Sequence, residues 1–81
     1  MEGSIVFINH QRGMYGVELS DGSYTVFELL DSNEINEQDI ITGPLDELGG
    51  CTLQNQTKEE SFEAFIENTG MDLRAANLRT L

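Results

Sequence analysis

Apolar and polar positions alternate along the first part of the chain in three short runs, each about the length of a β-strand. The first run, Ser4–Asn9, is rich in β-branched and aromatic residues and ends in the polar segment 9–13. The second run, Tyr15–Ser20, and the third, Ser23–Leu30, are separated by Asp21-Gly22, a dipeptide that favours a tight hairpin turn. Because a period of two is typical of half-buried strands, the pattern predicts an antiparallel three-stranded meander.

The middle of the chain predicts a loop and two further strands. Asp31–Asp39 is polar and acidic, which indicates a loop or a short helical turn, and a short apolar stretch after it stops at Gly43-Pro44. Cys51–Gln56 and Ser61–Asn68 are the candidate fourth and fifth strands. Phe65 is the exception in the fifth strand, since it falls on the polar side, where it would line a groove or cover an edge.

The C-terminal segment fits either a helix or a final strand. Asp72 is a good N-cap, and Leu73–Leu81 contains several helix formers. Leu73 and Ala76 begin an apolar stripe at helical spacing, but Thr80 stands where that stripe should continue. The competing interpretation is a final strand, Ala75–Leu81, with Ala76 and Leu78 on one face, and the helix is slightly favoured.

Length and composition predict one small domain over residues 1–81. The hydrophobic fraction of 38% is enough for a globular chain, and a chain of this length holds one modest core. Fifteen Asp and Glu oppose four Lys and Arg, giving a net charge of −11, with no basic residue between Arg12 and Lys58. Such a surface repels phosphate backbones and anionic lipids. The acidic surface therefore either serves solubility alone or binds a basic partner.

Other features favour a cytoplasmic, non-enzymatic protein. Cys51 is the only cysteine, so no intrachain disulfide is expected, and the apolar run at 5–8 is too short for a signal or membrane segment. His10 is the only histidine and lies in a polar turn, so a catalytic thiol–imidazole pair is not indicated. Because the chain has one Cys and one His, a tetrahedral metal site built from Cys and His ligands is excluded. We expect no enzyme activity, no cofactor and no metal.

Several segments, taken in order, resemble a known family. The matching segments are Gly3-Ser4-Ile5-Val6-Phe7-Ile8-Asn9, Arg12-Gly13-Met14-Tyr15-Gly16-Val17, Asp21-Gly22 and Val26-Phe27-Glu28-Leu29-Leu30, with looser matches at Ser61–Glu63 and Ala75–Leu78. Their order resembles a bacterial cold-shock domain, although Ile40–Lys58 is longer than the family has at that place. The resemblance implies a mainly β fold, a small five-stranded OB-type barrel. The residues after Asp72, taken by themselves, allow a short C-terminal helix in addition.

The resemblance also implies a nucleic-acid-binding role. The family binds single-stranded RNA and DNA through exposed aromatic rings, on which bases stack at about 1–3 kcal/mol each, and through nearby basic residues. Carried over position by position, the candidate nucleic-acid-binding residues are Phe7, Arg12, Tyr15 and Phe27. Tyr15 aligns with an aromatic position of the family only if one residue is inserted in the second strand.

The chain departs from the family in ways that weaken this role. Ser4 and Val6 replace flanking lysines, and Leu29-Leu30 replaces a His-Phe pair. Without the insertion, the aromatic pair of the second strand falls on Met14 and Gly16. The remaining rings are also candidates for the barrel core, because barrels need large residues at alternate positions.

Two functions from different classes therefore remain. The first is weak binding of single-stranded RNA or DNA through the four candidate residues. The second is an acidic protein-interaction module, without nucleic-acid activity, that meets a basic protein partner. Neither involves a membrane. They differ in whether the three rings lie side by side on an exposed face or point inward.

Overall fold

Six antiparallel strands close on one another to form a barrel, and one short helix follows the last strand. The computed structural model describes residues 1–81. The elements are β1 (Glu2–Asn9), β2 (Met14–Leu19), β3 (Tyr24–Leu29), β4 (Ile40–Thr42), β5 (Gly49–Asn55), β6 (Glu60–Met71) and α1 (Leu73–Thr80). Around the barrel their order is β1-β2-β3-β6-β5-β4, with β4 returning to β1. The fold is OB-like.

The predicted fold class is confirmed, with six strands rather than five. The additional strand is β4, whose three residues pair with the start of β1 on one side and the end of β5 on the other. Its sequence is too short for the alternation of side chains to reveal it. The segment after Asp72 is the helix, and β6 runs on to Met71 because its second half still pairs with β3.

Inward-facing side chains from every strand fill the barrel. Three rings lie at its centre: the Tyr15 and Phe27 centroids are 5.4 Å apart, and those of Phe27 and Phe62 are 5.7 Å apart. Burial of each such ring is worth about 1.5–3 kcal/mol relative to exposure. The buried core residues are Ile5, Tyr15, Val17, Leu19, Phe27, Ile35, Ile41, Leu45, Leu53, Phe62, Ala64 and Ile66.

A β-bulge in β1 changes which of its residues face outward. Ile5 pairs with Val17, but Phe7 pairs with Gly16, so Val6 has no direct partner on β2. Such a bulge places two consecutive residues on one face of the strand. Val6 and Phe7 therefore pack on the outside of the barrel, while Ile5 on one side of the bulge contributes to the core.

Asp39 joins three separate parts of the chain through its buried carboxylate and its backbone. It accepts hydrogen bonds from Lys58 Nζ at 2.8 Å, from Asn55 Nδ2 at 2.8 Å and from the Asn36 N–H at 3.0 Å. The backbone of the same loop meets β1, where Ile5 N donates to Asp39 O at 3.0 Å. The loop before β4 is thereby fastened to β1 and to the turn between β5 and β6.

The pKa of Asp39 reflects a balance of opposing effects. Burial is the largest and raises the pKa, but the hydrogen bonds from Lys58, Asn36 and Asn55 together outweigh it. The pKa of Asp39 therefore lies below its ordinary value. The ionised form of the Asp39 carboxyl is therefore more stable in the folded protein than in the unfolded chain.

Replacing Asp39 with alanine should lower the free energy of unfolding by about 2–4 kcal/mol, because buried donors lose their acceptor. Urea denaturation followed by circular dichroism measures this. Asp46→Ala is the matched control, since Asp46 is exposed and makes no side-chain hydrogen bond, and it should change the free energy of unfolding by less than about 0.5 kcal/mol. Equal midpoints for the two variants would contradict the role assigned to Asp39.

The same carboxylate predicts a pH dependence. Because its pKa is lower in the folded chain than in the unfolded one, its contribution is fully present above about pH 5 and is lost as the pH falls below about 4. The difference in unfolding free energy between wild type and Asp39→Ala should therefore shrink between neutral pH and about pH 3. A difference that stays constant over this range would show that the charge is not what stabilises the loop.

Candidate functional site

The structure places two of the four predicted nucleic-acid contacts inside the barrel. Phe27 is fully buried and Tyr15 is 3% exposed, and their rings stack on each other with an interplanar angle of 18°. Burial also raises the pKa of the Tyr15 hydroxyl, with a smaller opposing effect from Lys58. Both are core residues, which corrects their assignment as base-stacking positions. Odd-numbered positions of β2 and β3 point inward in this register.

Phe7 lies on the outside of the barrel but is not free. Its ring stacks on that of Tyr24, with centroids 6.3 Å apart, and both belong to a small apolar cluster with Met14 and Val26. The Tyr24 hydroxyl donates to Glu18 Oε2 at 2.9 Å, and this hydrogen bond, together with burial, raises the pKa of Tyr24. Ala76 of α1 packs against this cluster on its outer side.

The helix α1 covers this outer face of β1, β2 and β3. The Asp72 side chain caps its first turn by accepting from a backbone N–H at 2.8 Å, as its sequence predicted. Ala76 and Thr80 are its buried residues, whereas Leu73 and Leu78 are exposed. The Thr80 hydroxyl donates to Ala76 O at 2.8 Å within the helix, so it is satisfied without water. For this reason Thr80 continues the buried stripe that it was expected to interrupt.

A glycine on β2 allows the close approach of the helix. A Cβ atom at Gly16 would lie 2.8 Å from Phe7 Cδ2 and 3.1 Å from Thr80 Oγ1. Met14 and Gly16 face outward on β2, and neither carries a ring on the face where the family resemblance places one. That face holds helix packing instead.

Arg12, the fourth predicted contact, is bound to the end of α1. Its Nη1 donates to the backbone oxygen of Leu81 and, at 3.5 Å, to that of Arg79. A guanidinium at this end also complements the helix dipole. The four predicted residues thus do not form one surface: two lie in the core, Phe7 lies under α1, and Arg12 holds the helix end.

The open aromatic surface is elsewhere, on the outer face of β6. Phe65 is 42% exposed, and its cross-strand neighbours are Glu28 on β3 and Gly50 on β5. Glu63 and Glu67 flank it along the strand on the same face. The place of Phe65 on the polar side of an alternating strand marked it as unusual, but its neighbours on β3 and β5 were not apparent from the sequence.

Two shallow polar clefts also open on the surface. One, of about 390 Å³, lies between Arg12, Arg79, Glu28 and Glu67 near the end of α1. The other, of about 380 Å³, lies between the starts of β1 and β4 and the end of β2 and is lined mainly by polar residues and glycines. No group of three or more His, Cys, Asp or Glu side chains is placed to hold a metal ion.

The two residues considered for nucleophilic chemistry lie in unremarkable surroundings. Cys51 is half-buried, and burial raises the pKa of its thiol, with Glu63 and Glu47 adding to the shift. A raised pKa keeps the thiol protonated at neutral pH and therefore weakly nucleophilic. His10 is exposed and meets Tyr15 edge-on, with ring centroids 6.3 Å apart.

Comparison of the chain with protein-family models, with curated proteins and with solved structures finds no match in any of the three. The evidence for an OB-like fold is therefore the topology of the barrel alone. The only helix, α1, is too short and too polar to cross a membrane.

Replacing Gly16 with alanine should push α1 away from the barrel and lower the free energy of unfolding by about 1–3 kcal/mol, because the added methyl overlaps Phe7 and Thr80. Urea denaturation measures the loss, and amide hydrogen exchange in α1 shows whether the helix is released. Gly50→Ala is the matched control on another strand, since a Cβ there meets no atom within 4 Å, and it should be nearly neutral. If both substitutions are neutral, α1 does not pack on Gly16.

Proposed function

We propose that the chain is a non-enzymatic binding domain that acts as an acidic protein-interaction module with a basic protein partner. The distribution of charge carries this proposal. Of the fifteen acidic residues, Asp39 alone is buried, so the others bring their charge to the surface. Two of the four basic side chains are engaged within the fold, Lys58 with Asp39 and Arg12 with the end of α1.

A surface with this excess of one sign attracts ligands of the opposite sign. Summed over the barrel, the carboxylates produce a potential that raises the encounter rate with basic partners and disfavours phosphate-bearing ones. The interaction is screened by salt over a distance of about 8–10 Å. The partly buried thiol suits a reducing compartment, and we propose that the protein acts in the cytoplasm.

The barrel is also proposed to be a divergent cold-shock-like domain. The support is the order of the sequence segments over β1, β2 and β3, together with the OB-like topology. In such a domain the outer face of these strands would meet nucleic acid. Here α1 occupies that face and Arg12 is bound to the helix, which favours the protein-interaction role over nucleic-acid binding.

Weak binding of single-stranded nucleic acid remains the second candidate. The stacked pair Phe7–Tyr24 beneath α1 favours it, since two adjacent rings are a surface on which bases can stack. This function requires α1 to leave the barrel, and only Ala76 and Thr80 of the helix are buried. Arg12 would be released by the same movement.

The proposal is tested by titrating the ¹⁵N-labelled protein with a basic peptide and, separately, with a single-stranded oligonucleotide, at low and high salt. We expect the basic peptide to bind, to shift amide signals on one face of the barrel and to weaken as salt rises. We expect no oligonucleotide binding at roughly tens of micromolar protein.

Two results would contradict the protein-interaction role. Oligonucleotide binding that is stronger than peptide binding, with shifts in α1 and around Phe7, would assign the second candidate instead. Small shifts spread evenly over all carboxylate-bearing surfaces would show only general attraction between opposite charges, without a docking face.

A further inference from the structure

The outer face of β3, β6 and β5 presents an aromatic ring that nothing in the fold covers. Phe65 stands at the middle of this face, which we call the Phe65 face, and 42% of its surface is exposed. Its neighbours on the same strand alternate between core and solvent, and every other outward position from Ser61 to Glu67 is polar. An exposed ring in this setting adds nothing to the core.

On one side of the Phe65 ring, the neighbouring strand β5 has no side chain directly opposite. Gly50 lies directly opposite Phe65 on β5, and a Cβ atom there would meet no other atom within 4 Å. A cross-strand neighbour with a side chain would lie about 4.5–5.5 Å away and cover part of the ring. The glycine therefore leaves space beside the aromatic surface.

Carboxylates surround the ring on its remaining sides. Glu28 lies directly opposite Phe65 on β3, and Glu63 and Glu67 lie two residues away along β6. Glu63 is oriented by the Thr52 hydroxyl, which donates to its Oε2 at 2.5 Å. An exposed ring with three acidic neighbours favours a cation over its face.

The basic residues near these carboxylates indicate on which side of Phe65 a cation would bind. Arg12 and Arg79 share a cleft with Glu28 and Glu67, on the side of the face toward α1. No salt bridge joins these pairs, since the single salt bridge of the fold is Lys58–Asp39. Glu63, on the other side of Phe65, does not line this cleft, so a bound cation is expected between Phe65 and Glu63.

An exposed aliphatic side chain adjoins the same face. Leu30 follows β3, and its N–H donates to Glu63 O at 2.9 Å, which continues the pairing of β3 with β6 beside Phe65. Leu30 is 55% exposed and offers apolar surface to the methylene stem of a long basic side chain.

We infer that the Phe65 face binds an arginine side chain presented by an extended, basic segment of another protein. A guanidinium is flat, stacks on aromatic rings and donates two parallel hydrogen bonds to a carboxylate, which an ammonium does not. Phe65 supplies the ring, Glu63 the oriented carboxylate, and Gly50 the space. This inference rests on the proposed interaction with a basic partner and assigns its site.

The test is a titration of the full chain with a short peptide that carries one arginine between glycine and serine residues, observed by NMR. Matched peptides carry lysine or uncharged citrulline in the same place. We expect amide shifts centred on Phe65 and on its cross-strand neighbours. Affinity should fall in the order arginine, lysine, citrulline.

Two sets of variants separate the ring from the charge. Phe65→Leu keeps an apolar side chain without an aromatic face and should weaken arginine-peptide binding by about twofold to fivefold. Glu28→Gln/Glu63→Gln/Glu67→Gln should weaken it by about fivefold to thirtyfold. The control Glu2→Gln/Glu34→Gln/Glu37→Gln removes the same amount of charge from other exposed positions and should have an effect of less than about threefold. All these positions are at the surface, so each variant should keep the wild-type spectrum elsewhere.

The outcomes distinguish this inference from the proposed function on which it rests. If Phe65→Leu binds the arginine peptide as well as the wild type does, and both glutamine triples weaken binding to the same extent, the Phe65 face is not the site, and an acidic module remains. If the wild type binds no basic peptide, the proposed function fails as well. Signals at Phe65 that move with protein concentration alone would identify a second copy of this chain as the occupant and overturn the inference.

Discussion

The ionised carboxylate of Asp39 is the interaction on which closure of the barrel depends. The strand that completes the barrel, β4, has three residues with which to pair β1 and β5. Asp39 stands directly before it and binds Asn55 at the end of β5 and Lys58 in the turn that follows, while its backbone meets Ile5 of β1. A buried charge with three donors is stable only when all of them are in place, so the loop has one conformation.

Closure of the barrel leaves it with two unlike outer faces. On β1, β2 and β3 the bulge at Val6 turns Phe7 outward, Gly16 leaves room above it, and α1 fills that room. On β3, β6 and β5 there is no covering element, and Phe65 remains exposed among carboxylates. The face on which the family resemblance placed ligand binding is used for packing, and the open face lies on the other side of β3.

The sequence predicted the parts of the fold that depend on neighbours along the chain. Alternation predicted the three strands of the N-terminal meander, and Asp72 indicated the start of α1, because both are local signals. The bulge in β1 and the short β4 depend on pairing with distant strands, so no local pattern reveals them.

The candidate site was harder to predict for the same reason. Whether Tyr15 or Met14 faces outward is decided by the register of β2 against both neighbours, and a shift of one residue exchanges the two faces. Phe65 could be recognised as unusual from the sequence alone. Its setting could not, since Glu28 and Gly50 are far from it along the chain and meet it only through the register of β3 and β5.

The open position at Gly50 has an evolutionary consequence. Its backbone conformation is one that any residue can adopt, and no atom lies where a side chain would begin. Mutation at this codon can therefore fill the space beside Phe65 in small steps, from a methyl group to a branched side chain, with little effect on folding. Substitution at this single position can therefore reshape the Phe65 face while the core and the Asp39 cluster stay as they are.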